Sequence, residues 1–251
     1  MAQPNEPILK GVDTDHYIGA IDAAKVKAAG IGFLIAKATQ GVLFVDPQFS
    51  HTWRSCQLAG LTHGAYHFFE ARADGAAQAK HFTDILDSVG GIQSGTVGKQ
   101  VSRGFPRSGT GDIPAVVDVE YDSLRGWHGT KAALIANLKK LVDALTVKYG
   151  RPPILYTSPG FISEWLDNSF VSCPLWVARY ARRIAAIPDG KPGVVLSSPG
   201  SVAPWADWVI WQRSPGEEGG HIVPGIAASV DVDVFRGTSE EFANRFHAPG
   251  N

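Results

Sequence analysis

An excess of charge of either sign is absent. Lys and Arg number 23 against 24 Asp and Glu, a formal net charge of −1. No basic field therefore exists to hold a nucleic-acid backbone or an anionic membrane surface, and both partners are excluded. Long hydrophobic runs are absent too, since no stretch approaches the roughly 18 apolar residues of a spanning helix. The opening MAQPNEPILK has one Lys and no apolar segment, so no signal peptide is read there and synthesis in a cytoplasm is expected. Cysteine is scarce. Cys56 and Cys173 are far apart and lack ligand-type spacing, which excludes a disulfide scaffold or a cysteine metal site and leaves two buried thiols as the expectation. With 19% charged and 44% hydrophobic residues, the chain has neither the composition of a disordered segment nor that of a coiled coil.

What is present is a regular alternation. Apolar runs rich in Val, Ile, Phe and Tyr predict eight strands: Ile8–Asp13, Phe33–Thr39, Gly64–Phe69, Ala115–Glu120, Pro153–Thr157, Leu175–Tyr180, Trp208–Gln212 and Val230–Phe235. Helical spacing follows the first five, over Ile21–Ala29, Pro47–Ala59, Gly75–Leu86, Thr130–Tyr149 (Thr130 as its cap) and Pro159–Leu166. Beyond the sixth strand the connections are full of Gly, Pro and Ser. In a chain of 251 residues this pattern predicts an α/β fold: an irregular TIM-type barrel of about eight mostly parallel strands with five main helices, (β/α)5(β)3, its last helices missing. The expected organisation is one domain over 8–246 with tails at 1–7 and 247–251. Two segments stand apart. Ser88–Gly111 carries Lys99, Arg103 and Arg107 without an acid, but it links a helix to a strand, which puts it on the face opposite the chemistry as a solvated loop or small hairpin. Pro188–Trp205 follows a strand and can wall a cleft.

Acids at spacing i, i+2 recur near the C-terminal ends of the predicted strands: Asp13 with Asp15, Asp118 with Glu120, and Asp231 with Asp233. Alternate residues of a strand share a face, so each pair can aim both carboxylates one way. In a closed barrel the first and eighth strands are neighbours, which brings Asp13 and Asp231 together, with the fourth strand across the mouth. Asp15, Asp122 and Asp233 read as solvated strand-end acids or partners of loop arginines. Asp118 and Glu120 do not, because AVVDVE is otherwise apolar and burying two carboxylates to no purpose costs several kcal/mol. Clustered acids raise one another's pKa, which keeps one protonated as a general acid while another stays ionised, and paired acids of that kind suit glycoside hydrolysis. Aromatics at strand ends can pack on the C–H faces of sugar rings: Tyr66, Tyr156, Tyr180 and Trp211, with Phe68, Phe69 and Trp176 reading first as core. Two rivals stand beside this reading. One is a metal-dependent hydrolase using Asp13, Asp118 and Glu120 with His63 or His67, although both histidines read as packing groups. The other is a catalytically inactive cell-wall-binding barrel.

GVDTDHYIGAID, FLIAKATQG, Asp46 with Phe49, GLTHGAYHFF followed by Gln78, AVVDVE, ILYTS, LWVARY and SVDVDVF together resemble glycoside hydrolase family 25, the Chalaropsis-type lysozymes, in order and approximate spacing from Leu9 to about Phe246. The resemblance implies an N-acetylmuramidase that cleaves the β-1,4 bond between N-acetylmuramic acid and N-acetylglucosamine in bacterial peptidoglycan with retention, as a monomer and without metal or cofactor. Carried over by motif, Glu120 is the acid/base, Asp118 its acidic partner, and Asp13 and Asp231 further acids of the floor. Tyr66, Phe68, Tyr156, Trp176, Tyr180, Trp211, Gln212 and Asp233 are the substrate-binding set. Asp15 stands where the family usually has a small residue, and Asp233 where it usually has Asn, so extra negative charge is expected in the site. Arg213 stands where an aromatic is common.

Overall fold

Eight strands close into a barrel in the computed structural model, which describes residues 7–90, 113–180, 198–214 and 221–246. They are β1 (Ile8–Thr14), β2 (Phe33–Gln40), β4 (Thr62–Phe68), β5 (Val116–Asp118), β6 (Ile154–Thr157), β7 (Leu175–Ala178), β8 (Ile210–Ser214) and β9 (Asp231–Arg236), with β3 (Phe44–Val45) as a short antiparallel flap on β2. Around the ring the order is β1-β9-β8-β7-β6-β5-β4-β2, and β1 pairs with β2 to close it. Seven strands run parallel. The last, β9, is antiparallel to both neighbours.

The main helices are α1 (Ala23–Ala28), α2 (Phe49–Ala59), α3 (Gly75–Gly90), α4 (Lys131–Tyr149) and α5 (Pro159–Trp165). The outer helices bury apolar stripes against the strands, and α4 is capped at both ends as well. In α4 the Thr130 hydroxyl accepts from Ala133 N at 3.3 Å, and Leu134, Leu138, Leu141, Val142 and Leu145 form the buried stripe. Gly150 then ends the helix at φ 71°, a left-handed conformation that glycine adopts without steric cost. The five expected main helices are all present, and a further helix, α6 (Ser239–Phe246), follows the last strand. Beyond Gly90, the basic stretch of Ser88–Gly111 lies outside the described residues, and so does Pro188–Trp205 up to residue 197.

The strand period sorts side chains into two cores. Outward residues such as Val12, Leu34, Ala65, Val117, Leu155, Val177 and Val234 meet the helices. Inward residues fill the barrel: Phe33, Ile35, Val116, Ile154, Trp176, Ile210 and Phe235, with α6 adding Phe242 and Phe246 beneath. Phe242 stacks on Phe33 at 4.6 Å and meets the edge of Phe235 at 5.0 Å. Gly11 is required there, because a Cβ would collide with the Phe33 ring. The lower half of the barrel is thus solidly apolar, and polar inward side chains are confined to the upper end. Both cysteines are buried, and they are not joined in a disulfide.

Candidate active site

The upper end gathers the acids. Asp13 lies directly across from Asp231 in the β1–β9 register. The i, i+2 pairs were read at the C-terminal ends of their strands, and for Asp231 and Asp233 this is corrected: they begin β9. Because β9 runs antiparallel, its beginning lies at the same mouth as the ends of the others. On the far side, Val116 and Asp118 point inward while Val117 and Val119 point into the outer core. Val119 N donates to Tyr156 O at 3.0 Å, and Glu120 keeps an extended backbone (φ −148°, ψ −175°). Glu120 therefore shares the inward face of Asp118, one pleat nearer the opening. Ser123 Oγ accepts from Glu120 N at 3.1 Å and holds the turn that follows.

Gln212 of β8 ties the acids to the phenols. Its Nε2 donates to Asp13 Oδ2 at 2.7 Å and to Asp231 Oδ2 at 3.3 Å. Its Oε1 accepts from Tyr156 OH at 2.7 Å and from Tyr180 OH at 3.1 Å. Both ends of the amide are committed, so its orientation is fixed by four partners.

The electrostatics follow from this crowding. Burial pushes the Asp118 carboxyl well above the usual carboxylate range, and the Glu120 charge adds to it. Glu120 is itself raised by burial, then by Asp122, while Lys37 draws both carboxyls back down. Asp13 lies well above the ordinary range through burial and then the charges of Asp233 and Asp231. Burial also raises the Tyr156 phenol well above its usual value and pushes Tyr180 up to about 12, so both stay hydrogen-bond donors.

The remaining site residues divide. Tyr66 and Phe68 lie at the mouth beside Lys37, whose Nζ stands 5.0 Å from the Phe68 ring centre and 5.9 Å from those of Tyr66 and Phe44. Trp176 is fully enclosed, with its edge against Tyr156 at 4.6 Å. Trp211 is corrected: it alternates with Gln212 and so faces the outer core, where its Nε1 donates to Arg179 O at 2.9 Å and Arg213 covers its ring at 4.9 Å. Asp233 is corrected as well, since it is 0% exposed rather than a solvated strand-end acid. Asp122 does pair with the loop Arg125 at 3.1 Å, and Asp15 caps the turn at His16–Ile18 through Tyr17 N.

Lys37 was missed as a functional residue. A register shift between Lys37 and Thr39 inserts Ala38 as a bulge in β2, which leaves Lys37 facing the mouth and turns Thr39 to the outer layer. Its signal was a single cation inside the apolar run FLIAKAT. Neither histidine meets the acids. His63 Nδ1 bonds Leu61 O at 2.9 Å and its ring packs on Trp53. His67 is fixed as one tautomer: Gln78 Nε2 donates to the carbonyls of Glu70 and Ala73, so Gln78 Oε1 accepts from His67 Nε2, and His67 Nδ1 accepts from Thr39 Oγ1. Burial lowers its pKa to about 4. Among the described residues no three His, Cys, Asp or Glu side chains are placed to hold a metal ion.

Comparison with known proteins agrees with this arrangement. The sequence matches glycosyl hydrolases family 25 over residues 12–97 and 103–218. It is 31% identical to the N,O-diacetylmuramidase of a Chalaropsis species over 193 residues, 72% of this chain and 83% of that one. It is also 31% identical over 245 residues to YegX of Escherichia coli O157:H7, covering 95% and 73% of the two chains. The bacterial lysozyme structure from Streptomyces coelicolor superposes with a TM-score of 0.74 at 22% identity, over 96% of this chain and 97% of that one. A family match over two segments that together span most of the sequence, and a barrel with its acids gathered at one mouth, lead to one statement: the chain belongs to glycosyl hydrolases family 25.

Proposed function

We propose that the protein is an endo-β-1,4-N-acetylmuramidase that hydrolyses the bond between N-acetylmuramic acid and N-acetylglucosamine in bacterial peptidoglycan with retention of configuration. The observation that carries the reading is the Asp118–Glu120 pair: two inward carboxyls at the end of an otherwise apolar strand, both raised by burial, facing the Asp13–Asp231 seam.

Glu120, the more exposed of the two, protonates the leaving oxygen. The 2-acetamido oxygen of the muramic acid attacks the anomeric carbon as that bond breaks, and Asp118 accepts from the acetamido N–H and balances its developing positive charge. Glu120, now ionised, then takes a proton from water, which opens the cyclic intermediate and restores the acetamide. Two residues along a strand advance about 6.6 Å, a separation that requires no direct carboxylate nucleophile. Tyr66, Phe68, Tyr156, Tyr180 and Gln212 line the sugar-binding cleft, while Trp176 and Trp211 support it from behind. All of these groups come from one chain, and the protein acts as a monomer on the bacterial wall. Digestion of purified peptidoglycan followed by mass spectrometry tests the assignment. Fragments ending in reducing muramic acid are expected, and fragments ending in reducing glucosamine, or no cleavage, would overturn it.

A further inference from the structure

Below the mouth, two carboxyls meet without a donor between them. Asp233 Oδ1 accepts from Trp176 Nε1 at 2.9 Å. Its Oδ2 is buried and receives no N–H or hydroxyl from any described residue; Asp233 stands opposite Gly11 in the β1–β9 register, so Asp13, two residues along, is its diagonal neighbour on the same inward face, and the two carboxyls act on each other. Asp13 Oδ2 is already taken by Gln212 Nε2 at 2.7 Å. Gln212 cannot turn to place a hydrogen elsewhere, because its Oε1 holds the hydroxyls of Tyr156 and Tyr180. A hydrogen bond between two carboxyls requires that one of them carry a proton.

Among the described residues, the surroundings offer no other way to balance the charge. Asp231 of β9 adds a third acid, Gln212 of β8 and Trp176 of β7 are neutral donors, and Tyr156, Tyr180 and Tyr66 are neutral phenols. Across the mouth stand Asp118 and Glu120, and it is on these two that the charge of Lys37 acts. Two bare anions on neighbouring strands, facing each other inside a protein, are strongly disfavoured, and such pairs hold a proton in common.

We propose that Asp13 and Asp233 form a one-proton dyad in which Asp233 is a positioning residue: the shared proton seats Asp13 against Gln212, and Gln212 in turn fixes the hydroxyls of Tyr156 and Tyr180. The pair carries a single negative charge near neutral pH, so Asp233 adds none to the site. In Asp233→Asn the amide oxygen accepts from Trp176 and the amide N–H donates to Asp13, which becomes the anion. One proton and one carboxyl are lost together, and the net charge is conserved.

Isotope-edited infrared spectroscopy on protein labelled with 13C-aspartate reads this directly. At pH 7 the wild type is expected to show a protonated-carboxyl C=O band that both Asp233→Asn and Asp13→Asn lack, with the carboxylate absorption unchanged; Asp118 is common to all three and cancels in the difference. Loss of carboxylate absorption in Asp233→Asn with the protonated band intact would overturn the dyad. A second arm rests on the muramidase reading, whereas the infrared arm does not. On peptidoglycan, Asp233→Leu, which keeps the size but neither hydrogen bond, is expected to have a kcat at least about tenfold below that of Asp233→Asn. Equal kcat values would overturn the positioning role. Should Asp233→Leu fail to fold, the infrared comparison decides alone.

Discussion

Replacing Gln212 by Leu tests whether the amide is the joint that holds the mouth together. Gln212 is 2% exposed, so its side chain is exchanged for an apolar one of similar size with little change in packing. Two short bonds are lost, to Asp13 and Tyr156 at 2.7 Å each, and two weaker ones, to Tyr180 and Asp231. The buried partners matter most, because an orphaned buried donor or acceptor costs about 1–3 kcal/mol. Asp13 Oδ2 and the Tyr156 hydroxyl together give about 2–6 kcal/mol, and Tyr180, half open to water, adds little. Burial of the leucine returns about 1 kcal/mol, so the expected net loss is about 3 kcal/mol. For a domain of this size each kcal/mol lowers Tm by about 2–4 °C, which sets the expected fall at about 6–12 °C by calorimetry. The phenols lose their common acceptor in the same step, so hydrolysis of peptidoglycan should weaken in protein that is still folded at the assay temperature. A Tm within about 2 °C of wild type would refute the claim that this amide bears the load described for it.

Glu120→Gln should lower kcat on peptidoglycan by at least about a hundredfold at unchanged circular dichroism, and Asp118→Asn by as much or less; near-wild-type turnover in Glu120→Gln would remove it as the acid. Activity requires the protonated Glu120 carboxyl and should fall as pH rises through its elevated pKa. Asp122→Asn removes a charge that favours the protonated form and should move this alkaline limb to lower pH, while Lys37→Met should move it to higher pH; displacement in the same direction would contradict the assigned field. His67 has a folded pKa of about 4 against about 6.5 unfolded. Its neutral form therefore favours the native state above that window and is penalised as pH falls through it, by up to about 3 kcal/mol at the bottom. Urea unfolding at pH 7 and near pH 4.5 should show a larger loss for wild type than for His67→Gln. Exhaustive chelation should leave the hydrolysis rate unchanged; a loss restored by one specific cation would favour the metal-dependent reading.

The barrel was largely legible because its strands are short and doubly buried, and such runs stand out as Val, Ile and Phe clusters between turn residues. The direction of the last strand was not. Alternation of inward and outward residues is the same whichever way a strand runs, so Asp231 and Asp233 were assigned to the wrong end of theirs although their face was right. Helix α6 had a readable start that went unused: Thr238 N donates to Glu241 Oε2 at 2.7 Å and Glu241 N to Thr238 Oγ1 at 3.2 Å, the reciprocal box encoded by TSEE, with Phe242 and Phe246 one turn apart behind it. Asp118 and Glu120 were visible as carboxylates out of place in an apolar run. Asp233 was hidden by the opposite effect, since an acid near polar neighbours reads as solvated, and only closure of the ring shows that Trp176 and Asp13 enclose it. The outward aim of Trp211 follows from strand parity once Gln212 is known to point in.

Strands β1 and β9 come from opposite ends of the chain and meet edge to edge, with Gly237 N bonded to Pro7 O just beyond them and Arg151 holding the carbonyl of Phe246 at the foot. Asp13 and Asp231 sit on that seam. Strands β2 through β8 with their helices supply no floor to the site by themselves, because Asp13 belongs to β1 and Asp231 to β9. The catalytic floor is thereby a property of the closed ring: the same join that supplies two of the acids also seals the apolar half below.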